Sequence, residues 1–117
     1  MQYNEYKQGD ICLIDFNPTI GDEIKKIRPA IIINGDFAVG LELKIVAPIT
    51  SWKNDFEQIW WLVNLKPSKI NGLDNESAVN CYQLRCVSTE RIIRKIGYEI
   101  NELENIIATS QNCIEIL

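Results

Sequence analysis

Short apolar runs alternate with polar segments rich in Asn, Gly, Pro, Asp and Lys over the first 97 residues of the chain. Apolar runs of this length, bounded by turn residues, are typical of β-strands. Loops are predicted over 17–27, 51–58 and 66–76, and a helical turn over Ser88–Arg91. The pattern predicts strands over residues 10–16, 29–34, 42–50, 59–65, 77–87 and 93–97.

The C-terminal segment has a helical pattern instead. Asn101 can cap a helix, and Glu102 and Glu104 would lie in its first turn, where the helix dipole favours acidic side chains. A helix over about residues 101–116 is therefore expected to pack its apolar face on the sheet. The apolar positions at helical spacing are Leu103, Ile106, Ile107, Cys113, Ile114 and Leu117.

Short strands followed by one terminal helix predict a mainly β fold with a C-terminal helix, in the form of a small, strongly bent antiparallel barrel. The chain has 117 residues, which suffice for one core. We expect a single domain over 1–117, with the barrel over about 8–97 and the helix over about 101–116.

Composition limits the setting in which the protein works. Hydrophobic residues make up 46% of the chain and charged residues 24%, which is ordinary for a globular protein. No apolar run approaches the ~18 residues of a membrane span, and the first residues lack a secretory signal pattern. These features predict a cytoplasmic protein with no membrane partner.

Metal and cofactor sites are not expected. The chain has no histidine, and its four cysteines form no Cys-x-x-Cys pair. Cys12, Cys81, Cys86 and Cys113 lie within or beside apolar segments and are interpreted as reduced core thiols.

The net charge of −4 at first argues against a nucleic-acid partner. All 12 Lys and Arg lie within residues 1–97, together with 12 of the 16 acidic residues. The excess of acid therefore belongs to the C-terminal segment, and the rest of the chain can still present a positive face.

Candidate chemistry clusters at the ends of two predicted strands. If the second and third strands pair, Arg28 and Thr50 lie at the same edge of the sheet, with Glu23 in the neighbouring loop. An arginine fork suits a phosphate, a hydroxyl can hold a second oxygen, and a carboxylate can take a proton. From the pattern alone, a structural or solvated role for these side chains remains the alternative.

A set of short motifs occurs in one order along the chain. These are Gly9-Asp10-Ile11, Asp15-Phe16-Asn17-Pro18-Thr19-x-Gly21-x-Glu23, Arg28-Pro29-Ala30, Val46-Ala47-Pro48-Ile49-Thr50-Ser51, Gly72-Leu73 with Ser77, Gln83-Leu84-Arg85, and Arg91 with Lys95-Ile96-Gly97. Together they resemble the MazF/PemK family, toxins of toxin–antitoxin modules. The resemblance runs from about residue 8 to 97, and the predicted helix lies where this family has one.

The resemblance implies an SH3-like (CcdB/PemK-like) barrel that forms a homodimer and is neutralised by a separate antitoxin protein. It also implies an endoribonuclease that cleaves single-stranded RNA with no metal and no cofactor. In that chemistry the ribose 2′-hydroxyl attacks the adjacent phosphate and leaves a 5′-hydroxyl end.

Position by position, the resemblance implies that Arg28 and Thr50 hold the reacting phosphate and that Glu23 contributes to activity. Gln83 and Arg85 match a later Gln-x-Arg element whose role is either structural or functional. The residues expected to contact RNA are Asn17, Lys25, Lys26, Ser51, Trp52, Tyr82 and Gln83.

Tyr82 departs from the family pattern, since several members carry an acidic residue there. A tyrosine with a pKa near ~10 is a poor base at neutral pH, but it can donate a hydrogen bond or stack on a nucleobase. Trp52 and Phe56 either stack on bases or pack in the core or at an interface. Trp60 and Trp61 would point to opposite faces of a strand.

The sequence leaves two other functions open. The chain could be a non-catalytic or degenerate binding protein on the same barrel, for example with a gyrase-poisoning role like that of CcdB-like toxins. It could also be a structural barrel unrelated to toxins.

Overall fold

Seven β-strands and one α-helix form the regular structure of the computed structural model, which describes residues 6–24, 26–36 and 41–115. Short 3-10 helices occur at Asn54–Gln58 and Thr89–Arg91. The mainly β fold with one C-terminal helix is the one predicted. The strands and the helix are β1 Asp10–Asp15, β2 Ile27–Ile32, β3 Leu43–Ser51, β4 Leu62–Leu65, β5 Ser77–Asn80, β6 Arg85–Ser88, β7 Ile92–Tyr98 and α1 Leu103–Asn112.

β3 is the strand that bends the sheet. It pairs with β2 on one side, while on the other side its first half pairs with β6 and its last three residues pair with β5. The path of neighbouring strands is β4-β5-β3-β2-β1-β7, and every pairing along it is antiparallel. Within the residues that the structure describes, no ladder joins β4 to β7, so the predicted barrel is a strongly bent sheet that is not closed.

Two details of the strand prediction are wrong. Residues 77–87 do not form one strand, because the Asn80 side chain accepts hydrogen bonds from the amides of Tyr82 and Gln83, both at 3.1 Å, and turns the chain between β5 and β6. Trp60 and Trp61 lie in a turn before β4 rather than within a strand, so strand alternation does not separate them.

Strand alternation divides the core into two clusters on opposite faces of the sheet. One cluster packs against α1 and includes Ile31, Ala47, Ile49 and Ile106. The other cluster takes the even-numbered positions of the first strands, namely Cys12, Ile14, Phe16, Ala30, Ile32 and Val46, together with Val87 and Ile92. Even-numbered positions at the paired ends of β2 and β3 therefore face the second cluster.

The terminal helix is shorter than predicted. It begins at Leu103 and ends at Asn112, and the capping position is Glu102 rather than Asn101. The buried carboxylate of Glu99 holds the chain at the start of this helix, since its Oε2 accepts a hydrogen bond of 3.2 Å from the Glu102 amide. None of the helices in the described ranges has both the length and the apolar character needed to cross a bilayer.

The expectation of four core thiols holds for the buried Cys12 and Cys81, and in part for Cys113, which packs against the core; it is wrong for Cys86. Burial raises the pKa of Cys12 to about 12 and that of Cys81 to about 11. Cys113 is half-buried, whereas Cys86 is exposed. Cys86 pairs in the sheet with Ile45, which is itself 41% exposed, so this part of the sheet face is uncovered.

Candidate active site

Arg28 and Thr50 form the centre of the candidate site. The β2–β3 register pairs Ala30 with Pro48, and two residues further along both strands it brings Arg28 opposite Thr50. Arg28 Nη1 donates a hydrogen bond of 3.2 Å to Thr50 Oγ1, and both side chains are half-buried. The prediction that they lie together at one edge of the sheet is confirmed.

Ser51 and Trp52, the next two predicted site residues, do not join Arg28 and Thr50. Ser51 is exposed and pairs with Ser77 on β5, so alternation directs its side chain to the face opposite Thr50. Trp52 donates its backbone amide to the Glu76 carbonyl at 3.0 Å, and its half-buried ring packs edge-on to Phe56, with 5.7 Å between centroids. The Trp52–Phe56 contact agrees with the packing alternative.

The loop between β1 and β2 is ordered by its own polar side chains. Glu23 is exposed, and its Oε1 accepts a hydrogen bond of 2.6 Å from the Ile20 amide. Asn17 Oδ1 accepts one of 3.2 Å from the amide of Lys26, which has a φ of 70°. Lys25, the other predicted loop lysine, lies outside the described residues.

Gln83 links this loop to the turn between β5 and β6. Its Oε1 accepts a hydrogen bond of 2.9 Å from the Ile24 amide, and its Nε2 donates one of 3.4 Å to the Asp22 carbonyl. The oxygen and the nitrogen of its side-chain amide are thus both hydrogen-bonded to protein backbone. The structure places Gln83 as a residue that holds the loop against the rest of the site.

Two arginines fix the point where β1 ends and this loop begins. Arg85 donates to the Phe16 carbonyl at 2.8 Å, and Arg91 donates to the carbonyls of Asp15 and Asn17. The sequence leaves the role of Arg85 open and indicates none for Arg91. The Arg85 contact spans 69 residues of sequence, so no local pattern signals it.

A groove of about 360 Å³ lies between the β1–β2 loop and the turn that carries Tyr82. Pro48, which precedes Thr50 by two residues and so shares its face of β3, is part of the wall. The lining includes Phe16, Glu23, Pro48, Tyr82, Gln83 and Arg85. The groove therefore connects the predicted loop residues with the turn that carries Tyr82.

Tyr82 is the outer member of an aromatic ledge, made of Trp60, Trp61 and Tyr82. The centroid of Trp61 lies 5.6 Å from that of Trp60 and 5.7 Å from that of Tyr82. Tyr82 is 65% exposed and Trp60 is 57% exposed. The sequence pointed to Tyr82, but it gave no indication that the two tryptophans are continuous with it.

The site can hold an anionic ester and move a proton. Its groups are the hydrogen-bonded guanidinium and hydroxyl of Arg28 and Thr50, and the exposed Glu23 carboxylate in the lining of the groove. In residues 6–24, 26–36 and 41–115, no three His, Cys, Asp or Glu side chains are grouped so that they could hold a metal ion.

Comparison with known proteins gives one consistent result. Residues 7–107 match the family model described as PemK-like, MazF-like toxin of type II toxin-antitoxin system. The chain is 28% identical over 97 residues to the endoribonuclease MazF9 of Mycobacterium tuberculosis, with 78% of this chain and 80% of that protein covered.

Solved structures agree with the fold. The Mycobacterium tuberculosis toxin MazF-mt6 superposes with a TM-score of 0.69 at 24% identity, covering 89% of this chain and 94% of that one. An endoribonuclease from a mycobacterial species, solved in complex with its cognate antitoxin, gives a TM-score of 0.71 at 14% identity, covering 92% and 93%. At these identities the structures establish the shared fold.

Proposed function

Because the chain belongs to the PemK-like, MazF-like toxin family of type II toxin–antitoxin systems, we propose that it is an endoribonuclease toxin that cleaves single-stranded RNA. The observation that supports this most directly is the hydrogen bond of 3.2 Å between Arg28 and Thr50. The 28% identical relative, named an endoribonuclease, supports the same activity. We treat residues 1–117 as one domain that holds this function.

The proposed reaction uses the nucleophile that RNA itself carries. The ribose 2′-oxygen forms a bond to the adjacent phosphorus, its proton passes to the Glu23 carboxylate, and the bond to the 5′-oxygen breaks. The leaving 5′-oxygen takes a proton from water, which gives a 2′,3′-cyclic phosphate and a 5′-hydroxyl end.

Arg28 and Thr50 have the central role in this proposal. The guanidinium would neutralise the charge that grows on the phosphoryl oxygens, and the Thr50 hydroxyl would hold the fork in place. Since the substrate supplies the nucleophile and Arg28 supplies the positive charge, the proposed reaction needs neither a metal nor a cofactor.

RNA contacts are proposed along the groove and its loop. Tyr82 lines the groove, while Asn17 and Lys26 lie exposed at the base of the loop. Gln83 is assigned to loop positioning, because the oxygen and the nitrogen of its side-chain amide both contact backbone. Ser51, Trp52 and Lys25 remain proposed contacts, and the first two have the weaker support because they diverge from the groove.

Partners follow from the family. We propose a homodimer in the cytoplasm whose groove is covered by a segment of a separate antitoxin, in competition with RNA. The family description pairs these toxins with antitoxins, and the mycobacterial structure with the same fold is a complex with its cognate antitoxin.

The test is cleavage of long single-stranded RNA in EDTA, followed by mapping of the new ends. We expect 5′-hydroxyl ends with the wild-type protein and a large loss of them with folded Arg28→Ala. Arg94→Ala is the matched control, because Arg94 is an exposed arginine on β7. Intact RNA at high concentrations of folded wild-type dimer would contradict the proposal and favour a non-catalytic binding role.

A further inference from the structure

The aromatic ledge has no evident role in the fold. Tyr82 exposes 65% of its surface and Trp60 exposes 57%, so both rings present large apolar faces to water. Tyr82 lies in the turn that Asn80 fixes through the backbone amides of Tyr82 and Gln83, so these hydrogen bonds do not involve the Tyr82 ring.

The ledge is rigid. Trp61 accepts a hydrogen bond of 3.0 Å from the Cys81 amide through its backbone carbonyl, directly before Leu62 pairs with Asn80. Both edges of the ledge are thus attached to the β4–β5 ladder. The rings of Trp61 and Tyr82 are tilted by 45° to one another, and those of Trp60 and Trp61 are nearly perpendicular.

Continuity with the groove indicates which ligand the ledge takes. Tyr82 lines the groove that also contains Glu23, Gln83 and Arg85. A single strand of RNA whose phosphate lies at Arg28 and Thr50 has unpaired bases on either side of that phosphate. A rigid, exposed ring in the wall of the same groove offers a flat face to one of those bases.

We propose that the aromatic ledge is a nucleobase-stacking subsite, in which one unpaired base of the RNA stacks on Tyr82, with Trp61 and Trp60 supporting the ring from behind. This rests on the proposed function, because it places single-stranded RNA in the groove. The subsite binds one base and positions the strand, while Arg28 and Thr50 act on the phosphate.

Composition favours a base over a second protein chain. The ledge is purely aromatic, whereas exposed aliphatic side chains occur on other strands, among them Leu43, Ile45 and Ile93. Aromatic faces bind bases of any sequence, since every base has a π-face. Exposed aliphatic side chains are the better match for a second copy of the chain.

The experiment measures binding of a labelled short RNA of randomised sequence, with a 2′-O-methyl group on every ribose so that cleavage cannot occur. We expect Tyr82→Ala and Trp60→Ala to weaken binding on the order of tenfold, and Tyr82→Phe to bind like wild type. Tyr98→Ala is the control, because Tyr98 is a 41% exposed tyrosine that contacts Lys95 on another part of the surface.

A second set of binding measurements identifies which base of the RNA stacks on Tyr82. In RNA of defined sequence, removing the base that stacks should weaken wild-type binding and leave Tyr82→Ala unchanged, while removal elsewhere should affect both proteins equally. Equal losses at every position, or no loss in Tyr82→Ala, would overturn the subsite. A shift from dimer to monomer in these variants, with RNA affinity per dimer unchanged, would assign the ledge to a second copy instead.

Failure of the subsite and failure of the proposed function give different results. Wild-type protein that cleaves RNA and is unaffected by Tyr82→Ala retains the function and loses the subsite. Base-dependent binding at Tyr82 by a protein that never cleaves RNA retains the subsite and loses the nuclease. A wild-type protein that does not bind the modified RNA overturns the subsite.

Discussion

Arg28 Nη1 donates a hydrogen bond of 3.2 Å to Thr50 Oγ1, across 22 residues of sequence and between two strands of one sheet. The strand ends fix both backbones, so the direction of the guanidinium is set by a hydroxyl that the sheet itself positions. A phosphate that reaches this site meets a charge already oriented, and little reorganisation is needed as negative charge develops.

Replacement of either residue is therefore expected to lower RNA cleavage strongly. Arg28→Ala removes the positive charge, and we expect the cleavage rate to fall by about 10²–10³-fold. Arg28→Lys keeps the charge but loses the planar fork, so it should recover only part of that loss. Single-turnover cleavage of a defined RNA measures both effects.

Thr50→Val isolates the hydroxyl, because valine keeps the shape of threonine. We expect a smaller loss of about tenfold, since the guanidinium stays but loses one hydrogen bond of the usual strength. The control is Arg94→Ala, which should cleave like wild type. Full activity in Arg28→Ala, with the fold intact by circular dichroism, would remove this pair from the mechanism.

Gln83 is expected to act through the loop that it holds. Gln83→Ala loses the contacts to the Ile24 amide and the Asp22 carbonyl, so hydrogen exchange at the Ile24 amide should become roughly two- to tenfold faster. Cleavage should fall because Glu23 is no longer held beside the groove. Gln111→Ala, at an exposed glutamine on α1, is the matched control.

Slower cleavage in Gln83→Ala without any change at the Ile24 amide would show that Gln83 acts on RNA directly. Gln83→Glu separates its two contacts: the carboxylate can still accept from the Ile24 amide, but it cannot donate to the Asp22 carbonyl. Partial recovery of the exchange rate is expected in that variant.

The pairing of Arg28 with Thr50 could be predicted because strand periodicity and turn residues are local signals. Two apolar runs separated by a turn pair as neighbours, and counting from the turn brings the start of one strand beside the end of the other. Strand periodicity and turn residues also predict β1 to β3 to within a few residues of their observed bounds.

Contacts between distant segments could not be predicted in this way. Arg91 reaches the Asp15 carbonyl across 76 residues, and Trp61 meets Tyr82 only because β4 and β5 pair. The division of 77–87 depends on the Asn80 side chain turning the backbone, which competes with the strand pattern of its neighbours. These features arise from tertiary packing.

A close contact between two backbone segments makes Gly97 a sensitive position. A Cβ on Gly97 would lie 2.3 Å from the Ile70 carbonyl oxygen and 2.5 Å from the Asn71 carbonyl carbon. Since backbone must move to relieve this overlap, Gly97→Ala should lower the free energy of unfolding by at least about 3 kcal/mol. Urea denaturation measures the loss.

Gly21→Ala is the control for that substitution. Gly21 has a φ of 61°, but apart from its chain neighbours no atom of the residues that the structure describes lies within 4 Å of a Cβ built there, so the left-handed backbone is what opposes alanine. The expected loss is about 1 kcal/mol. Equal losses in the two variants would mean that the contact between residues 70–71 and β7 relaxes easily.

Alkaline pH should destabilise the fold through its buried thiols. Burial raises the pKa of Cys12 from 9.0 to about 12 and that of Cys81 to about 11. Above pH 9 the unfolded chain releases these protons while the folded chain retains them, so the free energy of unfolding falls as pH rises toward 11–12. Below pH 9 the contribution of these thiols is fully present.

Thermal denaturation between neutral pH and pH 11 tests this contribution. Cys12→Ala should be less stable at neutral pH, because a buried side chain is truncated, but its stability should fall less steeply above pH 9. Cys86→Ala should keep the wild-type slope, since Cys86 is exposed in the folded protein. A wild-type slope in Cys12→Ala would contradict the assignment.

Substitutions of Glu23 can separate its two roles, one in ordering the loop and one in proton transfer. Its Oε1 accepts a 2.6 Å hydrogen bond from the Ile20 amide, which orders the loop, while its negative charge is what the proposed proton transfer requires. Glu23→Gln keeps an acceptor for the Ile20 amide and removes the charge. We expect the cleavage rate at neutral pH to fall by about 10²-fold with the loop intact, in the range of a lost general base.

Glu23→Ala provides the comparison, because it removes both the charge and the loop contact. If Glu23 only orders the loop, Glu23→Gln should cleave like wild type and Glu23→Ala alone should lose activity. If Glu23 takes the proton, both variants should be slow. The cleavage rate of Glu23→Gln relative to Glu23→Ala therefore distinguishes proton transfer from loop order at this carboxylate.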